Sequence, residues 1–224
     1  MKAATSPVFG VDSSSPVTSQ LYDAVVKWAG HKPEFWFRYL GNFIVRTDEV
    51  VLLHSLQTKV GLVYNLAKPT LLELLSQGAE DGHKAVELAR GVGAPRGVTL
   101  FADIEHGWPL TTAWLEGWTR SITEGGYAAG VYLSPNDWSV QKTLVVFRST
   151  RPELWKDLVL WFAYWLGEES WVRSNEIDIP SSRPFTQTLV NDHSSVWQFA
   201  GEVMSGKIDL DVYFPGFGPE PKFW

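Results

Sequence analysis

The chain has 224 residues, of which 45% are hydrophobic, and carries a formal net charge of −6 with no cysteine. This length and apolar content suffice for one substantial core, while the lack of cysteine excludes disulfides and thiolate metal sites. Lys and Arg are scattered and form no basic stripe, so we expect no nucleic-acid partner. No apolar run resembles a signal peptide or could span a bilayer, so we also expect no membrane partner.

Short apolar strands alternate with amphipathic helices over the first part of the chain. The first strand ends at Asp12, and a helix is predicted over 17–30, where Leu21, Val25 and Trp28 recur at helical spacing and Gly30 provides a stop. The following elements are predicted in this order: strand 34–41, helix 47–57, strand 59–66, helix 78–93, strand 94–105, helix 111–126 and strand 127–134.

The remainder of the chain is predicted to be rich in strands. They cover residues 157–167, 194–203 and 206–214, and the Pro- and Ser-containing segment 177–187 is predicted to be a surface loop. Repeated strand–helix alternation is typical of a parallel sheet, and five such units favour a closed barrel. We therefore predict an α/β fold with a single domain over 1–224: an irregular TIM-like (β/α) barrel of about five strand–helix units followed by a strand-rich C-terminal part.

Functional groups of such barrels lie at the carboxyl ends of the strands. At or near the predicted strand ends stand Asp12, Arg38, Tyr39, Tyr64, Asn65, Asp103, Glu105, Tyr132, Tyr164, Trp165, Trp197, Gln198, Asp209 and Asp211. Asp103 and Glu105 are two positions apart, so they point to the same side of the strand, and their mutual repulsion raises one pKa. Asp12 could instead cap a turn, and the two C-terminal acids could be solvated strand ends.

Twelve tryptophans are an unusual number for this length. They could fill a core, or some could line a groove as flat platforms for sugar rings. The five histidines show no H-x-H or H-E-x-x-H spacing, there is no G-x-S-x-G, and no Gly-rich phosphate loop follows a strand. We therefore expect no metal and no cofactor. Carboxylates beside aromatic platforms point to glycoside hydrolysis, in which one acid protonates the leaving oxygen.

Six short motifs, in this order, resemble those of glycoside hydrolase family 25, the lysozyme-type muramidases: "VFGVDSSSP", "LFADIE", "GYAAGVYLS", "FAYW", "VWQFA" and "GKIDLDVY". The middle of the chain, including "FRYLG" and "KVGLVYN", is more similar to a related glycoside-hydrolase-like domain of bacterial secreted proteins. The resemblance spans nearly the whole chain. It implies a barrel with five strand–helix units and a strand-rich end.

The resemblance also implies roles for the acids. Glu105 matches the family's proton donor, Asp103 its acidic partner, and Asp12 and Asp209 the remaining acids of the site. It implies a monomeric, extracellular or cell-wall-directed glycosidase that acts on a β-1,4-linked amino-sugar polymer, most simply peptidoglycan. Substrate binding is predicted for Tyr64, Tyr132, Tyr164, Trp165, Trp197, Gln198 and Arg38. Two alternatives stay open: a carbohydrate-binding barrel without turnover, and a structural module of a cell-wall or phage-derived assembly.

Overall fold

The computed structural model describes residues 6–166, 177, 179–181, 190 and 193–224. Eight strands form one closed barrel in chain order. They are β1 (Val8–Asp12), β2 (Phe35–Tyr39), β3 (Lys59–Tyr64), β4 (Thr99–Asp103), β5 (Ala128–Leu133), β6 (Val159–Ala163), β7 (Ser194–Glu202) and β8 (Ile208–Tyr213). The predicted TIM-like α/β barrel is confirmed.

Helices follow the first five strands. They are α1 (Ser19–Ala29), α2 (Thr47–Ser55), a single 3-10 turn (Pro69–Leu71), α3 (Leu75–Gly91), α4 (Thr112–Glu124), α5 (Trp138–Thr150) and the short α6 (Pro152–Trp155). α1 begins where the Thr18 hydroxyl accepts a hydrogen bond from the Leu21 amide and ends at Gly30, whose φ of 70° suits a residue without a Cβ. None of the helices in the described ranges is long and apolar enough to cross a membrane.

The last strand departs from the parallel pattern. β1 to β7 pair in parallel, whereas β8 runs antiparallel to both β7 and β1 and so closes the barrel in the reverse direction. Consequently the beginning of β8, not its end, lies beside the carboxyl end of β1, with Asp209 opposite Asp12. The prediction that Asp209 lies at the same rim as Asp12 holds, although Asp209 stands near the start of its strand.

Aromatic side chains fill the barrel interior. Phe37 stacks on Trp161 with ring centroids 4.0 Å apart, and Phe35 stacks on Phe223 at 4.7 Å. Gly61 faces the Phe37 ring so closely that an added Cβ would lie 2.0 Å from a ring carbon. The larger apolar core lies between the strands and the helices. These interior rings form the floor beneath the rim.

Two predictions about the segments between elements differ from the structure. No helix was predicted between the fifth and sixth strands, where α5 runs from Trp138 to Thr150. Of the predicted surface loop 177–187, only 177 and 179–181 lie within the described residues; Ile177 is buried and its amide donates to the Ala29 carbonyl.

Candidate active site

A cleft of about 280 Å³ opens at the rim where β1 to β7 end. Its lining is Asp12, Tyr39, Val63, Asp103, Glu105, Tyr132, Trp161, Trp165, Gln198, Glu202 and Asp209. The four acids predicted from the sequence therefore meet in one cleft. A second cleft of about 340 Å³ shares Glu105, Tyr132 and Trp165 with the first, which makes the two continuous. Tyr164 lines this second cleft and is partly exposed.

Asp103 and Glu105 form a hydrogen-bonded carboxyl pair at the end of β4. Burial, followed by the charge of Glu105 and the hydrogen bond to it, raises the pKa of Asp103 to about 7. Burial also raises the pKa of Glu105, while the hydrogen bond from Asp103 opposes that rise. The pair thus retains a proton near neutral pH. Burial raises the pKa of Asp103 more strongly because it is the more deeply buried partner, whereas the sequence led us to expect an ionised Asp103 beside a protonated Glu105.

The other two acids lie across the cleft on β1 and β8. The Gln198 amide nitrogen donates to Asp12 at 2.8 Å and lies 3.4 Å from Asp209, and the Tyr39 hydroxyl donates to Asp12 at 3.3 Å. The Glu202 amide donates to Asp209. Burial raises the pKa of Asp12 to about 6, and burial together with the charge of Asp12 raises that of Asp209 to about 8.

The orientation of Gln198 is fixed by two donors. The Tyr132 hydroxyl and the Trp165 indole nitrogen each donate to its side-chain oxygen at 2.9 Å. Because two donors hold the side-chain oxygen of Gln198, its side-chain nitrogen points in the opposite direction, toward Asp12 and Asp209. Of the predicted binding residues, Tyr132, Trp165 and Gln198 therefore lie where the sequence placed them.

Three predicted binding residues do not reach the cleft. Arg38 is fully buried outside the barrel, where its guanidinium pairs with Glu49 at 2.8 Å. The Tyr64 hydroxyl donates to Asp81 of α3, and the Trp197 indole donates to the Tyr164 carbonyl. Each of the three side chains packs on the helix-facing side of its strand because strand side chains alternate. The site assignments of these three residues are therefore corrected.

Residues that face inward on the same strands line the cleft in their place. Tyr39 follows Arg38 directly, Val63 precedes Tyr64, and Gln198 follows Trp197. The sequence also missed Trp161, which forms part of the floor, and Glu202. Asp12 lies opposite Phe37 and Asp103 opposite Tyr132, so Tyr39, two positions beyond Phe37, and Trp161, opposite Tyr132, also face inward. This register is set by pairing between strands and is not visible in the sequence.

The cleft is acidic and has no basic lining residue within the part of the chain that the structure describes. No group of three or more His, Cys, Asp or Glu among the described residues is arranged to hold a metal ion. The protein groups available for chemistry are therefore carboxyls that share protons, a side-chain amide and aromatic faces. Such groups can donate a proton, stabilise positive charge and stack on an apolar ring face.

Comparison with known families identifies the class of domain. Residues 48–213 match the family model described as "Rv2525c-like, glycoside hydrolase-like domain". This match covers most of the chain, so the protein belongs to that family. No curated protein matches the chain significantly.

Solved structures share the fold at low sequence identity. An uncharacterized protein of B. stearothermophilus is 24% identical with a TM-score of 0.79, covering 93% of this chain and 96% of that one. The spore cortex lytic enzyme SleM of Clostridium perfringens is 15% identical, with a TM-score of 0.57 over 92% of this chain and 67% of that one. A bacterial lysozyme of Streptomyces coelicolor is 16% identical, with a TM-score of 0.53 over 95% and 94%. These matches confirm the suspected family-25-like barrel.

Proposed function

We propose that the protein is a glycosidase that cleaves a β-1,4-linked amino-sugar polymer, most simply peptidoglycan. The observation that carries this proposal is the proton-sharing Asp103–Glu105 pair, whose member Glu105 lines both clefts where they join. A glycosidic oxygen between sugars in the two clefts would lie beside Glu105. The structural likeness to the lysozyme and to SleM supports the same substrate class.

The two sides of the cleft have different roles in the proposed reaction: one side donates the proton and the other faces the charge that develops on the sugar. Glu105 donates its proton to the glycosidic oxygen, which leaves as a hydroxyl group, and Asp103 supplies the proton that the pair shares. The positive charge that develops on the sugar ring faces Asp12, whose carboxylate stabilises it, while Asp209, which a pKa of about 8 keeps mostly protonated at neutral pH, orients the substrate's acetamido group. Water then completes the hydrolysis and returns a proton to Glu105, so protons balance over the cycle.

Aromatic faces hold the sugars. Trp165 is 44% exposed and lines both clefts, and Tyr164 and Tyr132 flank it. Sugar C–H faces pack on such rings while the indole N–H keeps its hydrogen bond to Gln198. We further propose that the protein acts as a monomer outside the cell or at the cell wall, where this polymer is found.

The test is turbidity clearing of purified cell walls with measurement of released reducing sugar. We expect Glu105→Gln to lower the rate by about 10²–10⁴-fold, the contribution typical of general acid catalysis, while the protein stays folded and still binds cell walls. Glu87→Gln, an exposed glutamate on the outer face of α3, is the matched control and keeps the wild-type rate. Wild-type protein that binds cell walls without releasing reducing ends would instead indicate a carbohydrate-binding barrel.

A further inference from the structure

A fifth carboxyl group, Asp211, lies beneath the cleft and does not line it. It is fully buried on β8, opposite Gly10 of β1 and Gln198 of β7. The Trp161 indole nitrogen donates to its Oδ1 at 3.0 Å. Its Oδ2 is also buried and receives no hydrogen bond from any residue that the structure describes.

An ionised Asp211 would be costly at this position. A carboxylate only accepts hydrogen bonds, and a buried one without a cation or enough donors is strongly disfavoured. The titratable groups facing it are acidic: Asp12 from β1 and Asp209 from its own strand. β6 and β7 present the uncharged Trp161 and Gln198. Protonation of Oδ2 removes the charge and converts the orphan acceptor into a donor.

The acceptor for that donor is Asp12, whose carboxyl group is within hydrogen-bonding reach of Asp211. We propose that Asp211 is a positioning residue, which stays protonated and donates a hydrogen bond to the Asp12 carboxylate, so that Asp12 is held as an oriented anion in the cleft. Its catalytic consequence rests on the proposed glycosidase function; the protonation state itself does not.

The electrostatics agree with this geometry. Burial and the charges of Asp12 and Asp209 raise the pKa of Asp211 well above its ordinary value. Burial raises the pKa of Asp12 to about 6, and hydrogen bonds from Gln198, Asp211 and Tyr39 limit that rise. Asp12 can therefore be ionised at neutral pH while its buried neighbour stays neutral. Loss of the Asp211 donor would leave Asp12 with two donors and a higher pKa.

The decisive comparison is Asp211→Asn against Asp211→Leu. Asparagine keeps an acceptor for Trp161 and a donor for Asp12 but cannot titrate, whereas leucine keeps the bulk and removes both. We expect Asp211→Asn to keep kcat within about threefold and the wild-type pH profile. We expect Asp211→Leu to move the acid limb of the profile to higher pH by about one unit, as loss of one charge-assisted hydrogen bond implies. Equal loss of activity in both variants would overturn the proposal.

A spectroscopic measurement tests the proton without requiring turnover. In infrared difference spectra of wild type minus Asp211→Asn at neutral pH, we expect the carbonyl band of a protonated carboxylic acid. A carboxylate band in its place would show that Asp211 is ionised and would overturn the proposal. The infrared spectrum reports the protonation state of Asp211 even if the protein cleaves no substrate. It also tests the proposal if Asp211→Leu does not fold. Failure of the glycosidase function is thereby distinguished from failure of this inference.

Discussion

The side chains of Asp12 and Gln198, 186 positions apart in the sequence, are joined by a hydrogen bond of 2.8 Å across the rim of the barrel. This contact links β1 to β7 and places an amide donor between the two acids of the cleft wall. Tyr132 and Trp165 hold that amide in one orientation, so Gln198 is a rigid connection between the aromatic surface and the carboxylates. The pKa of Asp12 and the position of the aromatic surface should therefore both depend on the uncharged side chain of Gln198.

Gln198→Glu tests this connection. The substitution keeps the shape, removes the donor to Asp12 and Asp209, and adds a third carboxyl beside them. We expect the pKa of Asp12 to rise and the acid limb of the pH–rate profile to move to higher pH. A rise of about two units, from about 6 to about 8, would leave only about a tenth of Asp12 ionised at pH 7 and lower the rate there about tenfold. Circular dichroism confirms folding. An unchanged profile would remove Gln198 from this role.

Asp103→Asn separates the two members of the proton-sharing pair. Removal of the Asp103 carboxyl takes away the group that retains the proton near neutral pH, and the asparagine amide can still donate to Glu105. The pKa of Glu105 should then fall, so the alkaline limb of kcat/KM against pH should move to lower pH, with impaired turnover at pH 7. The profile is measured on soluble cell-wall fragments. A shift of the alkaline limb to higher pH would contradict the assignment.

Much of the site follows from strand alternation and chain order. Asp103 and Glu105 meet because side chains two positions apart at the end of an apolar strand point the same way, and Asp12 lies at the same rim because β1 is parallel to its neighbour β2. The errors have one cause. The sequence correctly places Arg38, Tyr64 and Trp197 near the strand ends. Whether each side chain points into the barrel or toward the helices depends on the strand register, which is set by long-range strand pairing.

The reversal of β8 could not be read from its sequence. Residues 206–214 are predicted as an apolar strand with two acids, and only the pairing of β8 with β1 and β7 shows that it runs antiparallel. The buried position of Asp211 depends on this direction. The Val203–Gly206 turn that reverses the chain holds Met204 and Ser205 at positive φ, a conformation that those residue types do not signal in advance.

Trp165 and Trp197 distinguish a binding role from a structural one. Trp165 is 44% exposed and lines both clefts, whereas Trp197 is buried in the core between barrel and helices. We expect Trp165→Phe to weaken binding to cell-wall glycan by roughly tenfold, since it loses ring area and the indole donor to Gln198, with little change in stability. Trp197→Ala should instead destabilise the fold by about 3–5 kcal/mol. Glycan pull-down and urea denaturation measure the two effects; the reverse pattern would contradict both assignments.

The buried Arg38–Glu49 pair gives a further prediction about the loop that follows Asp12. The guanidinium of Arg38 also donates to the Ser13 carbonyl, and Glu49 accepts from the Val17 amide at 2.8 Å. Glu49→Ala leaves a buried charge unpaired and should cost about 3–5 kcal/mol of unfolding free energy. The exposed Lys84–Glu87 pair offers the control, because Lys84→Ala should cost no more than about 1 kcal/mol. If urea denaturation showed equal losses of unfolding free energy for the two variants, the burial of the ion pair would not explain its contribution to stability.

The cluster of carboxyls should also make the fold less stable as pH rises. Burial raises the pKa of Asp12, Asp103 and Asp209 from 3.8 to about 6, 7 and 8. Between pH 3.8 and about 8 the folded protein therefore binds more protons than the unfolded chain, so the free energy of unfolding decreases with pH, by up to about 1.4 kcal/mol per pH unit for each excess proton. This contribution is fully present below the unfolded pKa and is lost as pH passes through the folded values.

Asp209→Asn provides the matched test of that dependence. Asp209 has the highest of the three values, so its removal should flatten the curve most near pH 8, where Asp12 is ionised and Asp103 has lost most of its proton. Urea denaturation at about pH 5 and about pH 8.5 measures the difference for both proteins. We expect the wild type to lose more stability between these conditions than Asp209→Asn does. If wild-type stability instead rose with pH over this range, the cluster would be ionised at low pH, and Asp103 could not retain the proton that Glu105 donates.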